Sequence, residues 1–120
     1  MEKVKLQAQY GLYINGEWRN ASDGATYNAE SPADGSHLAV CAQGSREDVE
    51  AASAAAWEAF KTWKKTTPAQ RAALLNKIAD IIDANKEHLA MVESMDNGKP
   101  IRETMNVDIP MAAEHFRYFA

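Results

Sequence analysis

Two hydrophobic periods divide the chain. Up to about residue 44 the apolar positions alternate, or form short runs between turn residues; from Ser45 they recur every three or four residues. In the first region Leu12, Tyr13 and Ile14 are separated from Glu17, Trp18 and Arg19 by Asn15-Gly16. Both turn residues tolerate φ > 0, so this pattern predicts a tight β-hairpin. Ser22-Asp23-Gly24 predicts a second turn, 26–32 a second extended segment, and Pro32-Ala33-Asp34-Gly35 a third turn. Leu38, Val40 and Ala42 alternate with His37, Ala39 and Cys41, as in a half-buried strand.

The helical region opens at Ser45, an N-cap residue followed by Glu47 and Asp48 in the first turn. Val49, Ala52, Ala56, Phe60 and Trp63 form its apolar face. Thr67-Pro68-Ala69-Gln70 joins a capping box to a proline at the first helical position, so a second helix starts there. Leu74, Ile78, Ile81 or Ile82, Leu89 and Val92 make its apolar face. A run from Pro68 to Met95 is long for a globular helix, which predicts a break near Ala84-Asn85. Gly98 supplies a C-terminal stop with Pro100 beyond it.

In the last segment Ile101, Met105, Ile109, Ala112, Phe116 and Phe119 share one face. Pro110 removes a hydrogen bond and clashes with the preceding turn, so it is expected to open a further helix with Asp108 near the N-cap. The apolar stripe then runs to Ala120 with no capping glycine or asparagine, the pattern expected of a piece of something larger. The division expected is a tail over 1–9, a β-hairpin region over 10–44 and a helical region over 45–120. The fold class expected is α+β, with N-terminal hairpins followed by three to four helices.

Composition narrows the function classes. A formal net charge of −4 lacks the basic excess that nucleic acid asks for. No apolar run approaches the ~18 residues of a membrane span. The N-terminal MEKVKLQAQYGLYING has no uninterrupted apolar core and does not read as a secretory signal. One cysteine among 120 residues forms no disulfide framework, and a cytoplasmic location is the expectation.

Catalytic equipment is sparse. Cys41 sits in LAVCAQ without an adjacent base to stabilise a thiolate, and reads as a small strand residue. His37, His88 and His115 make no metal-ligand spacing. Glu47-Asp48 and Glu93-Asp96 read as helix-dipole partners and solvated faces. The six glycines form neither G-x-G-x-x-G nor a P-loop. Trp57, Phe60 and Trp63 read as a core-packing stripe.

Five motifs follow one another along the chain: YINGEW (13–18), ESPADG (30–35), WEAFKTWKKTTPAQRAALLNKIADII (57–82), ESMDNGKPIRE (93–103) and HFRYFA (115–120). In this order they resemble the N-terminal segment of NAD(P)-dependent aldehyde dehydrogenases, and their wording looks most like the bacterial acetaldehyde-type branch. The resemblance runs from about Tyr10 to the last residue. It implies an α/β family whose members carry a Rossmann-like cofactor domain, a catalytic domain and an oligomerisation arm. It also implies the family's reaction, in which a cysteine thiolate attacks an aldehyde, hydride passes to NAD or NADP, and a glutamate-activated water releases the carboxylic acid. The nucleophile, base, oxyanion asparagine and cofactor-binding residues match no position here, and Cys41 does not fit the nucleophile's motif. The resemblance therefore implies the leading part of the NAD(P)-binding domain without its Rossmann sheet, with no catalytic or cofactor-binding residue of its own.

Two smaller roles follow from the resemblance. Val107 and Met111 match positions lining an aldehyde entry tunnel, or make ordinary apolar contacts. Asp96, with backbone carbonyls near Ala29 and Glu30, matches a structural monovalent-cation site, or it caps a local turn. The expected partners are an aldehyde in the full-length enzyme and the remainder of the dehydrogenase chain or a second copy, with no nucleic acid and no membrane. Burying Ile101, Met105, Ile109, Phe116 and Phe119 is worth roughly 1.5–3 kcal/mol each, on the order of a whole domain's stability together. The alternative reading is a non-catalytic helical module of the same family that uses this face to bind a partner.

Overall fold

The computed structural model describes residues 4–120. The chain clusters into two compact units.

One unit holds Leu6–Glu30 and His37–Lys65. Its strands are β1 (Gln9–Tyr10), β2 (Leu12–Ile14), β3 (Glu17–Arg19), β4 (Thr26–Glu30) and β5 (His37–Ala42), followed by helix α1 (Arg46–Trp63). β2 and β3 form a separate two-stranded sheet, pairing Leu12 with Arg19, Tyr13 with Trp18 and Ile14 with Glu17. Its turn is the expected Asn15-Gly16, with φ of 53° and 82°. The other sheet has the order β1-β5-β4, with β4 antiparallel and β1 parallel to β5. Gly11 joins β1 to β2, and only a glycine fits there. A Cβ at this position would lie 2.7 Å from the Arg19 carbonyl oxygen. In β5 the buried residue is Ala39, while Leu38 and Val40 are half-buried, so burial falls on the face opposite to the larger side chains.

α1 starts where the sequence places it. Ser45 Oγ accepts from the Asp48 N–H, and the Asp48 carboxylate accepts from the Ser45 N–H, closing a capping box.

The other unit contains Ser31–Ser36 and Thr66–Ala120. Helix α2 (Pro68–Ala84) begins with the expected capping box of Thr67 and Gln70 and ends at Asn85. α3 (Lys86–Asn97) ends at Gly98, which takes φ 77° and donates its N–H to Ser94. The predicted break at Ala84-Asn85 and stop at Gly98 are both present.

The last segment keeps the expected helix start and adds a feature the sequence did not announce. A short α4 (Ile101–Glu103) passes through a π-turn (Thr104–Asp108) directly into α5 (Ile109–Phe119). α5 begins at Ile109 with Asp108 at its N-cap position and Pro110 in its first turn, but the Asp108 side chain makes no capping hydrogen bond and the chain enters α5 without a break. The Ile109 N–H donates to Thr104 O, five residues back. In a regular helix the Pro110 ring would strike the carbonyl four residues earlier. Widening the turn makes room without breaking the helix. The extra residue rotates everything after it by about 100° relative to a 3.6-residue period. Ala113, not Ala112, is therefore the buried alanine of α5, and Phe119 is 73% exposed.

In both units the buried apolar residues are alanines: Ala21 and Ala39 in the first, Ala79, Ala90 and Ala113 in the second. These residues let backbones approach closely but bury little area. The larger apolar side chains expected on α2 and α3 are at best half-buried, and Leu74 and Ile81 are exposed. No helix is long and apolar enough to cross a membrane among the described residues.

Candidate functional site

Asp48 is the most heavily bonded ionisable group described. Its Oδ1 accepts from Arg19 Nη2 at 3.0 Å and from the Ser22 N–H at 3.2 Å. Its Oδ2 accepts from the N–H groups of Ser22 and Ser45 at 3.0 and 2.9 Å, and from Ser45 Oγ at 2.9 Å. The side chain is 2% exposed. The backbone N–H groups of Ser45 and Ser22, helped by the Arg19 guanidinium and the Ser45 hydroxyl, hold its carboxyl far below the usual carboxylate range against the opposing effect of burial. Asp48 is thus a first-turn acid of α1, as the sequence implied, but a buried one rather than part of a solvated face. It ties the β3 strand, the turn after it and the start of α1 together. With every lone pair occupied by structural donors, it has no free valence for acid–base chemistry.

The aromatic stripe on α1 also differs from expectation. Trp57 is 70% exposed, and Phe60 and Trp63 are exposed at 45% and 43%. Trp57 and Phe60 pack edge to face with ring centroids 5.9 Å apart. Together with Ser53 and Ala56 they line a groove of about 370 Å³. The groove belongs to one helix and gathers no converging polar groups, so it lacks the features of a ligand pocket. If these rings are not core in this chain, Trp57→Gln should change its unfolding free energy by less than about 0.5 kcal/mol. A loss of several kcal/mol in chemical denaturation would place Trp57 in a core after all.

The remaining candidates stand apart from each other. Val107 lies in the π-turn and Met111 one turn later on α5, at 41% and 49% exposure. Their spacing of four places them on one side of the helix. His115 follows on that row, and its Nδ1 lies 2.7 Å from the Met111 carbonyl, which accepts its hydrogen. Asp96 is exposed in the last turn of α3. Cys41 is half-buried in β5. Lys99 Nζ donates to Asp108 Oδ2 at 2.7 Å, and this contact raises the lysine's pKa. Among the described residues no group of three or more His, Cys, Asp or Glu is placed to hold a metal ion.

Sequence reasoning missed Asp48 because its partners Arg19 and Ser22 lie 29 and 26 positions away. The available signal was Ser45 three residues before an acid, the capping-box spacing.

The aldehyde dehydrogenase family model matches residues 18–120. The chain belongs to the aldehyde dehydrogenase family. A long-chain-aldehyde dehydrogenase from Acinetobacter sp is 46% identical over 118 residues, which is 98% of this chain and 24% of that protein. The structure of PnpE in complex with nicotinamide adenine dinucleotide matches with a TM-score of 0.89 at 42% identity, covering 92% of this chain and 23% of PnpE. The NAD⁺ complex of the Bacillus cereus aldehyde dehydrogenase matches with a TM-score of 0.88 at 39% identity, again over 92% and 23%. The chain spans about a quarter of the length of these relatives. The α+β arrangement of small sheets and helices is thus an aldehyde dehydrogenase arrangement, as the order of the motifs implied.

Proposed function

We propose that these residues serve as the N-terminal part of an enzyme that oxidises an aliphatic aldehyde to a carboxylic acid with NAD or NADP. The observation that carries this reading is the family match over residues 18–120, joined to high structural similarity to NAD-bound relatives. An aliphatic aldehyde is the chemistry shared by the acetaldehyde-like wording of the motifs and the long-chain substrate in the Acinetobacter relative's name.

The chain's own role in that reaction is structural. Two of its grooves are single-helix surfaces on α1 and α5, and its positive-φ glycines sit in separate turns. In this reading the chain supplies no cofactor-binding or catalytic residue of its own, and no step of the reaction is routed through it. The exposed apolar residues of α1 and, separately, those of α5 support a further part of the reading: the rest of a dehydrogenase chain, or a second copy, covers each of them. Within that assembly Val107 and Met111 would face the aldehyde's path, and Asp96 would contribute a carboxylate to a monovalent cation.

The test compares two preparations. The 120-residue chain, incubated with NAD⁺ and a series of aliphatic aldehydes, should produce no NADH absorbance. The protein isolated from its source, with its intact mass measured alongside, should produce it. Turnover by the short chain free of any longer enzyme, or a source protein inert to every aldehyde, would sink the reading.

A further inference from the structure

Asx-Gly pairs occur at four places: Asn15-Gly16, Asp23-Gly24, Asp34-Gly35 and Asn97-Gly98. Lacking a Cβ, glycine leaves its nitrogen open to attack the side-chain carbonyl carbon of the residue before it. Three of the four pairs are held against that reaction. The Gly24 N–H donates to Ala21 O at 2.9 Å, and Asp23 Oδ1 accepts from the Ala25 N–H at 2.9 Å. The Gly35 N–H donates to Ser31 O at 2.8 Å, and Asp34 Oδ1 accepts from the Ser36 N–H at 3.0 Å. The Gly98 N–H donates to Ser94 O at 3.1 Å, Asn97 Oδ1 accepts from the Lys99 N–H at 2.8 Å, and Asn97 Nδ2 donates to the Glu93 carboxylate.

Asn15-Gly16 has none of this. Among the described residues no hydrogen bond holds the Gly16 N–H or the Asn15 side chain. Both residues are exposed, and a Cβ on Gly16 would meet nothing within 4 Å. The turn closes a two-stranded sheet of three residue pairs, with no third strand beside it among the described residues. Such a ladder opens at little cost, which frees the backbone to reach the cyclisation geometry.

We propose that Asn15 is a site of spontaneous deamidation, and that the fold protects the second Asn-Gly pair at Asn97. The Gly16 nitrogen loses its proton and bonds to Asn15 Cγ. The Cγ–Nδ2 bond breaks, ammonia leaves with the proton, and a five-membered succinimide remains. Water then opens the ring at either carbonyl, giving aspartate or isoaspartate with no change of oxidation state. Isoaspartate lengthens the backbone by one methylene inside a two-residue turn. The pairing of Tyr13 with Trp18 then loses its register, and a new carboxylate stands two residues from Glu17.

The test is peptide mapping after ageing the native protein in mildly alkaline buffer, beside a sample aged in denaturant. Tryptic peptides 6–19 and 87–102 separate the two sites. In the native protein, peptide 6–19 should gain the amide-to-carboxyl mass difference at least about tenfold faster than peptide 87–102, because hydrogen bonds hold only the second pair. In denaturant the two rates should converge, and Asn15→Gly should abolish the change in peptide 6–19 while retaining a turn that accepts φ > 0. Equal native rates, or an Asn15 that stays intact when folded yet converts in denaturant, would overturn the proposal.

Discussion

Asp48→Ala should lower the thermal unfolding midpoint of this chain by roughly 10 °C. The substitution removes the acceptor for Arg19, for two backbone N–H groups and for the Ser45 hydroxyl at once. The donors sit on exposed or half-buried residues around the buried carboxylate, so water replaces only part of what the substitution removes. The change also opens half of the α1 capping box. The effect should depend on pH with a definite sign. The folded carboxyl titrates far below its unfolded value of about 4, so the native state binds fewer protons than the unfolded state. Its contribution is fully present above that unfolded value and is lost as pH falls toward the folded one. The wild-type midpoint should therefore drop steeply on acidification below about pH 4, and that of Asp48→Asn should drop less. Circular dichroism melts across an acid series measure both. A midpoint shift under about 3 °C, or parallel acid profiles, would mean that these hydrogen bonds are replaced by water at no cost.

What could be read from the chain divides by the range of the interaction. The Asn15-Gly16 turn, the Thr67 capping box, the break at Asn85 and the αL stop at Gly98 each depend on residues within one helical turn or one hairpin loop. Their chemistry is complete in a short window, and each is present. The parallel pairing of β1 with β5 brings Gln9 beside Val40, and no local pattern announces it. Asp48 was seen as an acid in a first turn because only its capping partner is near in sequence. The α1 aromatics show the opposite limit. Periodicity says that Trp57, Phe60 and Trp63 gain from burial, but not which surface provides it. The described residues leave Trp57 70% exposed. The family was legible from the order of several motifs, each weak alone. No catalytic residue was legible, since the motifs that carry the resemblance include none.

The π-turn makes the sharpest of these contrasts testable. A regular helix from Ile101 onward places Ala112 on the buried stripe, while the widened turn ahead of Pro110 places Ala113 there, with no exposed surface. α5 packs chiefly on α2, where Ala79 is also fully buried. An alanine with no exposed surface leaves no room for three more carbons. Ala113→Leu should therefore force the α5–α2 contact apart and cost about 1–3 kcal/mol. Ala112→Leu adds the same atoms on the exposed side and should change stability by less than about 0.5 kcal/mol. Because both variants replace alanine by leucine, helix propensity cancels in the comparison. Urea denaturation of the two proteins reads the difference directly. Equal losses, or a larger loss at Ala112, would mean that the helix keeps its 3.6-residue phase through Pro110. The Lys99–Asp108 pair supports the phase described here, because it fixes the end of the π-turn against the residue following Gly98. Lys99→Ala should accordingly narrow the gap between the two leucine variants only if that exposed pair, and not the proline ring, sets the width of the turn.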